Sequence, residues 1–230
     1  MENKIISLMK KHYNYGDFYK IVWSKINKND NINSNYSFKP QIDCSENINK
    51  LNSADFKVMS RVDLPIFFGN YKDSKYRIMI FGREPRDTDD KFNINIIGEN
   101  IFGTPFGIEF WDEKNKYYKA FKNIINNKTI CCYFSDIVKE YKLVGKKREN
   151  DIEAKSKFKI KAIKYLNLLN EEIIEFNPTH IIGLGRDSYN FLKSNINFNM
   201  NEIIYIRHPS YGGHVDAYNQ INELISKLNC

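Results

Sequence analysis

Apolar and polar positions along the chain follow two regimes. Up to about residue 75 the apolar residues are sparse. Ile5, Ile6, Leu8, Met9 and Tyr13 place a first helix, Phe18–Ile26 a second, and Asn27–Pro40 is polar and irregular, a loop or a helix break. From residue 77 onward, short apolar runs alternate with amphipathic segments. Arg77–Phe81, Thr129–Phe134, Thr179–Leu184 and Glu202–Ile206 read as buried strands. Tyr117–Ile125, Glu153–Phe176, Asp187–Lys193 and a last segment carrying Ile221, Leu224, Ile225 and Leu228 read as helices. In Glu153–Phe176 the spacing puts Ile163, Leu166, Leu169, Ile173 and Phe176 on one face of a single long helix, which Asn177-Pro178 stops. Lys142–Glu153 is charged and reads as an exposed loop or helix start.

Strands alternating with helices predict an α/β fold: a three-layer αβα arrangement around a four-stranded parallel sheet. The 230 residues suit one domain, with 1–75 as a helical N-terminal extension and 76–230 as the α/β core. Apolar residues make up 42%, enough for a proper core. Lys and Arg outnumber Asp and Glu 35 to 28, giving a charge of +7 and a pI near 9.0. That field favours a polyanion such as DNA, though many basic domains bind none. The four cysteines, Cys44, Cys131, Cys132 and Cys230, form no Cys-x-x-Cys pair, and neighbours Cys131 and Cys132 point to opposite sides of a strand. Reduced thiols are expected, with no zinc site, iron–sulfur cluster or disulfide framework. No leader-like apolar segment and no run approaching the roughly 18 apolar residues of a membrane span occurs. A cytoplasmic protein with no membrane partner is therefore expected, with a monomer favoured.

In an open parallel sheet, sites form beyond the carboxyl ends of the strands. That rule selects four segments: Gly82–Asp89, Ser135–Lys139, Gly183–Asp187 and Arg207–His214. The first three carry carboxylates and the last carries two histidines.

These segments resemble the motifs of the uracil-DNA glycosylase-like superfamily. Gly82-Arg83-Glu84-Pro85 is similar to its water-activating motif. Gly103-Thr-Pro-Phe106-Gly107 resembles the loop whose ring stacks on a flipped base. Tyr133-Phe-Ser-Asp136-Ile-Val-Lys139 resembles the strand end that reads the base, and His208-Pro209-Ser210 resembles the superfamily's His-Pro-Ser motif. Pro178–Gly185 is similar to the strand preceding that motif. The resemblance covers about residues 77 to 228, with the motifs in order. It implies a monofunctional DNA glycosylase that flips a base from DNA and hydrolyses its N-glycosidic bond, leaving an abasic site, with no cofactor.

Glycosidic cleavage passes through an oxocarbenium-like state, which a carboxylate near the sugar stabilises. Glu84 occupies the family position for this role, with Asp87, Asp89 and Asp90 as nearby substitutes. His208 is expected to donate a hydrogen bond to the departing base. Phe106 is expected to stack on that base, the alternative being a core aromatic. Asp136 departs from the family pattern, which has Asn there. An ionised carboxylate only accepts hydrogen bonds, so it repels uracil O4 and suits the exocyclic amine of a cytosine. A normal cytosine cannot be the target without destroying the host genome. The expected substrate is therefore a modified cytosine, as in the superfamily members that remove glucosylated hydroxymethylcytosine in antiphage defence. A protonated Asp136, or one that caps a helix, is the alternative. Arg83, Arg86, Lys139, Arg186 and Arg207 are expected to grip flanking phosphates, with Ser210 contacting a phosphate and Tyr211 filling the gap in the duplex. A uracil-repair enzyme, a non-catalytic DNA-binding or partner-binding relative and a nucleoside hydrolase remain rivals.

Overall fold

A computed structural model describes residues 4, 7–8, 60–63, 65–84, 102–103, 116–142, 151–199, 202–210 and 212–229. The second expected helix, Phe18–Ile26, and the loop Asn27–Pro40 lie outside the described residues.

The strands are β1 (Ser60–Asp63), β2 (Ile66–Phe68), β3 (Tyr76–Gly82), β4 (Phe102–Gly103), β5 (Ile130–Asp136), β6 (Glu140–Lys142), β7 (His180–Leu184) and β8 (Ile203–Ile206). Among the described residues, the helices with both ends given are α1 (Lys116–Ile125), α2 (Asp151–Lys164), α3 (Leu166–Phe176), α4 (Gly185–Asn195) and α5 (His214–Asn229), and Lys4, Ser7 and Leu8 are helical as well. The main sheet has the order β2-β5-β3-β7-β8. Its four expected strands, β5, β3, β7 and β8, run parallel, so their carboxyl ends share one edge. β5 is buried along its whole length, as a strand covered on both faces must be.

Contacts assign the helices to the two faces. Tyr76 in β3 donates its hydroxyl proton to the Leu228 carbonyl of α5 at 2.5 Å, and Phe134 in β5 packs edge-on against Phe121 of α1. The preceding residue of β5, Tyr133, lies on the other face and packs against Phe176 of α3. Gly183 in β7 abuts Tyr189 of α4. Helices α1 and α5 therefore cover one face and α3 and α4 the other. Phe158 of α2 packs on Phe191 of α4, placing α2 on that same side of the sheet. Cys131 and Cys132 are both buried and free of disulfides. Cys132 reaches the Ile124 carbonyl of α1, whereas Cys131 reaches Gly69. Burial pushes the Cys131 thiol up to about 12 and Cys132 well above its ordinary range, so neither ionises near neutrality.

Three expectations need correction. Residues 60–63 and 66–68 are strands rather than helix or loop. β2 adds antiparallel to the otherwise open edge of β5, pairing Phe67 with Tyr133. A run of three residues is too short to show a period, which is why it escaped the pattern. Second, β1 joins β4 and β6 in a small three-stranded sheet, order β4-β1-β6, which the apolar pattern did not announce. Third, the single helix 153–176 is two. At Tyr165 the backbone (φ −97°, ψ 2°) leaves helical geometry, and its N–H bonds Ala162 O at 3.1 Å in a tighter turn. The break resets the phase. Phe158 and Ala162 point inward from α2 while Ile163, expected on the buried face, is 60% exposed. The stop at Asn177 is as expected. That residue adopts the left-handed conformation (φ 48°) and its N–H caps Ile173 O at 2.8 Å.

Candidate active site at the carboxyl edge of the sheet

Across the edge, the strand ends present Asp136 from β5, the Gly82–Glu84 turn from β3, Gly185 after β7 and His208 after β8. The β3 and β8 ends stand two strand spacings apart, about 10 Å. The Asp136 turn and the Glu84 turn are joined directly. Ile137 N–H donates to Gly82 O at 3.0 Å, and Val138 N–H donates to Arg83 O at 3.1 Å.

Glu84 sits in a compact ionic cluster. Arg83 Nη2 donates to Glu84 Oε1 at 2.8 Å, Arg83 Nη1 donates to Asp187 Oδ2 at 3.1 Å, and Lys161 Nζ of α2 stands 3.7 Å from Glu84 Oε2. The Glu84 side chain keeps only 16% of its exposure, so the carboxylate is held in place. Arg83 also lies over the Phe158 ring, 5.6 Å from its centroid. Asp187 lies in the first turn of α4, where the helix dipole favours a negative charge. This cluster leans toward the α2–α4 side of the sheet.

His208 leans toward the other side. Its Nδ1 is 2.6 Å from Ser210 Oγ, and the Ser210 backbone N–H donates to Nδ1 at 3.3 Å. An N–H can only donate, so Nδ1 is an acceptor and a neutral ring carries its proton on Nε2. That nitrogen faces the Tyr117 hydroxyl of α1 at 3.4 Å, with the two rings edge-to-face at 5.6 Å. A partner on Nδ1 fixes the ring and leaves a hydrogen-bond donor at the outer nitrogen. Gly213 permits the tight return behind it, because a Cβ there would collide with the His208 carbonyl oxygen. The Gly213 N–H closes the turn on Ser210 O at 3.1 Å.

Asp136 is 4% exposed and pairs in register with Gly82. By strand alternation it shares the face of Phe134, hence the side of α1 and Tyr117. It caps no helix: a bend and then β6 follow it. β6 pairs with β1, and β1 pairs Asp63 with Gly103. The small sheet thus ties the first residue of the Gly103–Gly107 segment to the strand that leaves the Asp136 turn.

The expected phosphate contacts fare unequally. Lys139 is corrected: it is fully buried, bonded to Ser135 Oγ at 2.6 Å and Glu172 Oε1 at 2.9 Å, and so does not face a phosphate. Arg83 is committed to Glu84 and Asp187 and only 17% exposed, which removes it from the open surface. Arg186 is exposed. Arg207 is exposed and pairs with Asp216. Ser210 has its hydroxyl on the imidazole. Arg86, Phe106 and Tyr211 lie outside the described residues. Tyr117 and Lys161 were not anticipated, and Asp187 was expected at the rim only as the carboxylate of the Gly183–Asp187 segment, with no role. Tyr117 begins an amphipathic helix beside a second tyrosine, and no periodicity says which ring meets the histidine.

Among the described residues, no group of three or more His, Cys, Asp or Glu side chains is arranged to hold a metal ion. Among them, too, no helix is long and apolar enough to cross a membrane. No protein-family model matches the chain, and no curated protein matches it in sequence.

Proposed function

We propose that the chain is a DNA glycosylase that hydrolyses the N-glycosidic bond of a flipped cytosine-type base, a modified one that its own genome lacks. The observation that carries this reading is the pairing of a fixed carboxylate and a fixed imidazole donor at one sheet edge, with a buried acidic side chain, Asp136, alongside. As the C1′–N bond breaks, its electron pair moves to the base and positive charge grows on the sugar. Glu84 stabilises that cation and orients the attacking water. The Nε2–H of His208 donates to the base as negative charge builds there, in place of its present neighbour Tyr117. Water adds to C1′, and its proton balances the charge on the departing base, leaving an abasic site and a free base. Asp136 accepts from the exocyclic amine, which selects cytosine-type bases over uracil. Removal of a modified base found only in foreign DNA makes antiphage defence the fitting role, and a uracil preference would make it repair.

The test is the rate of abasic-site formation on modified-cytosine oligonucleotides by the wild type, Glu84→Gln and His208→Ala. Each substitution is expected to lower kcat by about 100-fold or more while the fold persists. Wild-type rates in both variants would mean that the pair plays no chemical part.

A further inference from the structure

Behind the candidate site lies a polar group that the chemistry above does not use. Lys139, Glu172, Tyr133 and Ser135 are all fully buried. Lys139 Nζ donates to Ser135 Oγ at 2.6 Å and to Glu172 Oε1 at 2.9 Å, and stands 2.8 Å from Glu172 Oε2 without hydrogen-bonding geometry to it. Tyr133 O–H donates to Glu172 Oε1 at 2.7 Å. The ammonium also lies 5.5 Å from the centroid of the Phe81 ring. The group therefore ties β5, α3 and β3 together on the face opposite Asp136.

Its position along the chain matters. The Ser135–Lys139 bond brackets Asp136, one residue from one end and three from the other. Between them, Ile137 and Val138 carry the two N–H groups bonded to the Glu84 turn. A buried ion pair contributes little net stability compared with apolar residues of the same volume, but it is directional. An apolar side chain at 139 would fill the space and let the turn slide.

We infer that the buried Lys139–Glu172 pair, closed by Ser135 and Tyr133, is a positioning brace that holds the Asp136 turn in register with the Glu84 turn and thereby sets base selectivity. The selectivity part rests on the proposed reading of Asp136. The brace acts through Asp136 and touches no substrate. An error of about 1 Å in a positioned group costs about 100-fold in rate.

The experiment uses the double variant Lys139→Met with Glu172→Gln, which leaves no unpaired charge and keeps an acceptor for Tyr133, and the single variant Ser135→Ala, which keeps the ion pair. Amide hydrogen exchange is followed residue by residue, alongside the ratio of kcat on modified-cytosine and uracil DNA. The brace predicts that exchange at Ile137 and Val138 accelerates at least about tenfold while β7 amides stay protected. The selectivity ratio should fall by about 100-fold in the double variant and less in Ser135→Ala. Unchanged exchange at those two amides in a folded variant, or equal acceleration throughout the sheet, overturns the brace. Should the double variant not fold, Ser135→Ala decides by the same two readouts. Local acceleration with a wild type that releases no base from any DNA overturns the proposed function and the selectivity role, while supporting the mechanical one.

Discussion

Under the proposed function, Asp136 selects the base through a single atom type. A carboxylate offers only acceptors, whereas an amide offers a donor and an acceptor. Asp136→Asn should therefore move preference from cytosine-type bases toward uracil by about 1–3 kcal/mol, or about 5- to 150-fold in relative kcat/KM. Competition between the two oligonucleotides reads this directly, and a ratio that does not move would remove Asp136 from base selection. The candidate residues were legible to different degrees for physical reasons. His208 stood out because a histidine before Pro-Ser at a strand end has an extended backbone, and the structure adds the Ser210 N–H that makes Nδ1 an acceptor. Lys139 was misread because a lysine at a strand end looks solvated. Its partner Glu172 lies 33 residues away in α3, and nothing local announces the pair. Arg83 was misread for a similar reason: one of its two acidic partners, Asp187, lies 104 residues away.

At the scale of elements, the four parallel strands were visible as apolar runs bounded by polar turns, because strands buried on both faces lose alternation and keep only hydrophobicity. The short strands β1, β2, β4 and β6 were invisible because two to four residues establish no period, and their pairing partners are distant in sequence. The break at Tyr165 was hidden because apolar spacing continued across it. Close approach of α4 to β7 depends on Gly183, where a Cβ would stand 2.5 Å from the Tyr189 Cα. Gly183→Ala must push that helix off the sheet and is expected to cost about 1–3 kcal/mol. A thermal melt checks it, and an undiminished melting temperature would mean that α4 shifts freely. Because α4 supplies Asp187 to the Arg83–Glu84 cluster, the same variant is expected to lose activity even where it stays folded.

For the whole molecule, parallel order is what gathers distant residues. Turns that follow β3, β5 and β8 emerge at one edge because those strands run the same way, so residues 84, 136 and 208 share a rim despite their separation in sequence. The two helical layers divide that rim. The Glu84 cluster faces α2 and α4, and the His208–Tyr117 pair faces α1. Under the proposed function, the nucleotide would lie across the strand ends, with its sugar toward the first side and its base toward the second. For the proposed DNA substrate, the net charge of +7 predicts weaker binding as salt rises.

The most direct measurement is mass-spectrometric identification of what the protein releases from duplexes carrying modified cytosine, uracil or unmodified bases, with free nucleosides as a parallel arm. The expected result is a free modified-cytosine base and a matching abasic site, with unmodified DNA and nucleosides intact. Release of no base from any DNA, or cleavage of the free nucleosides alone, would contradict the account.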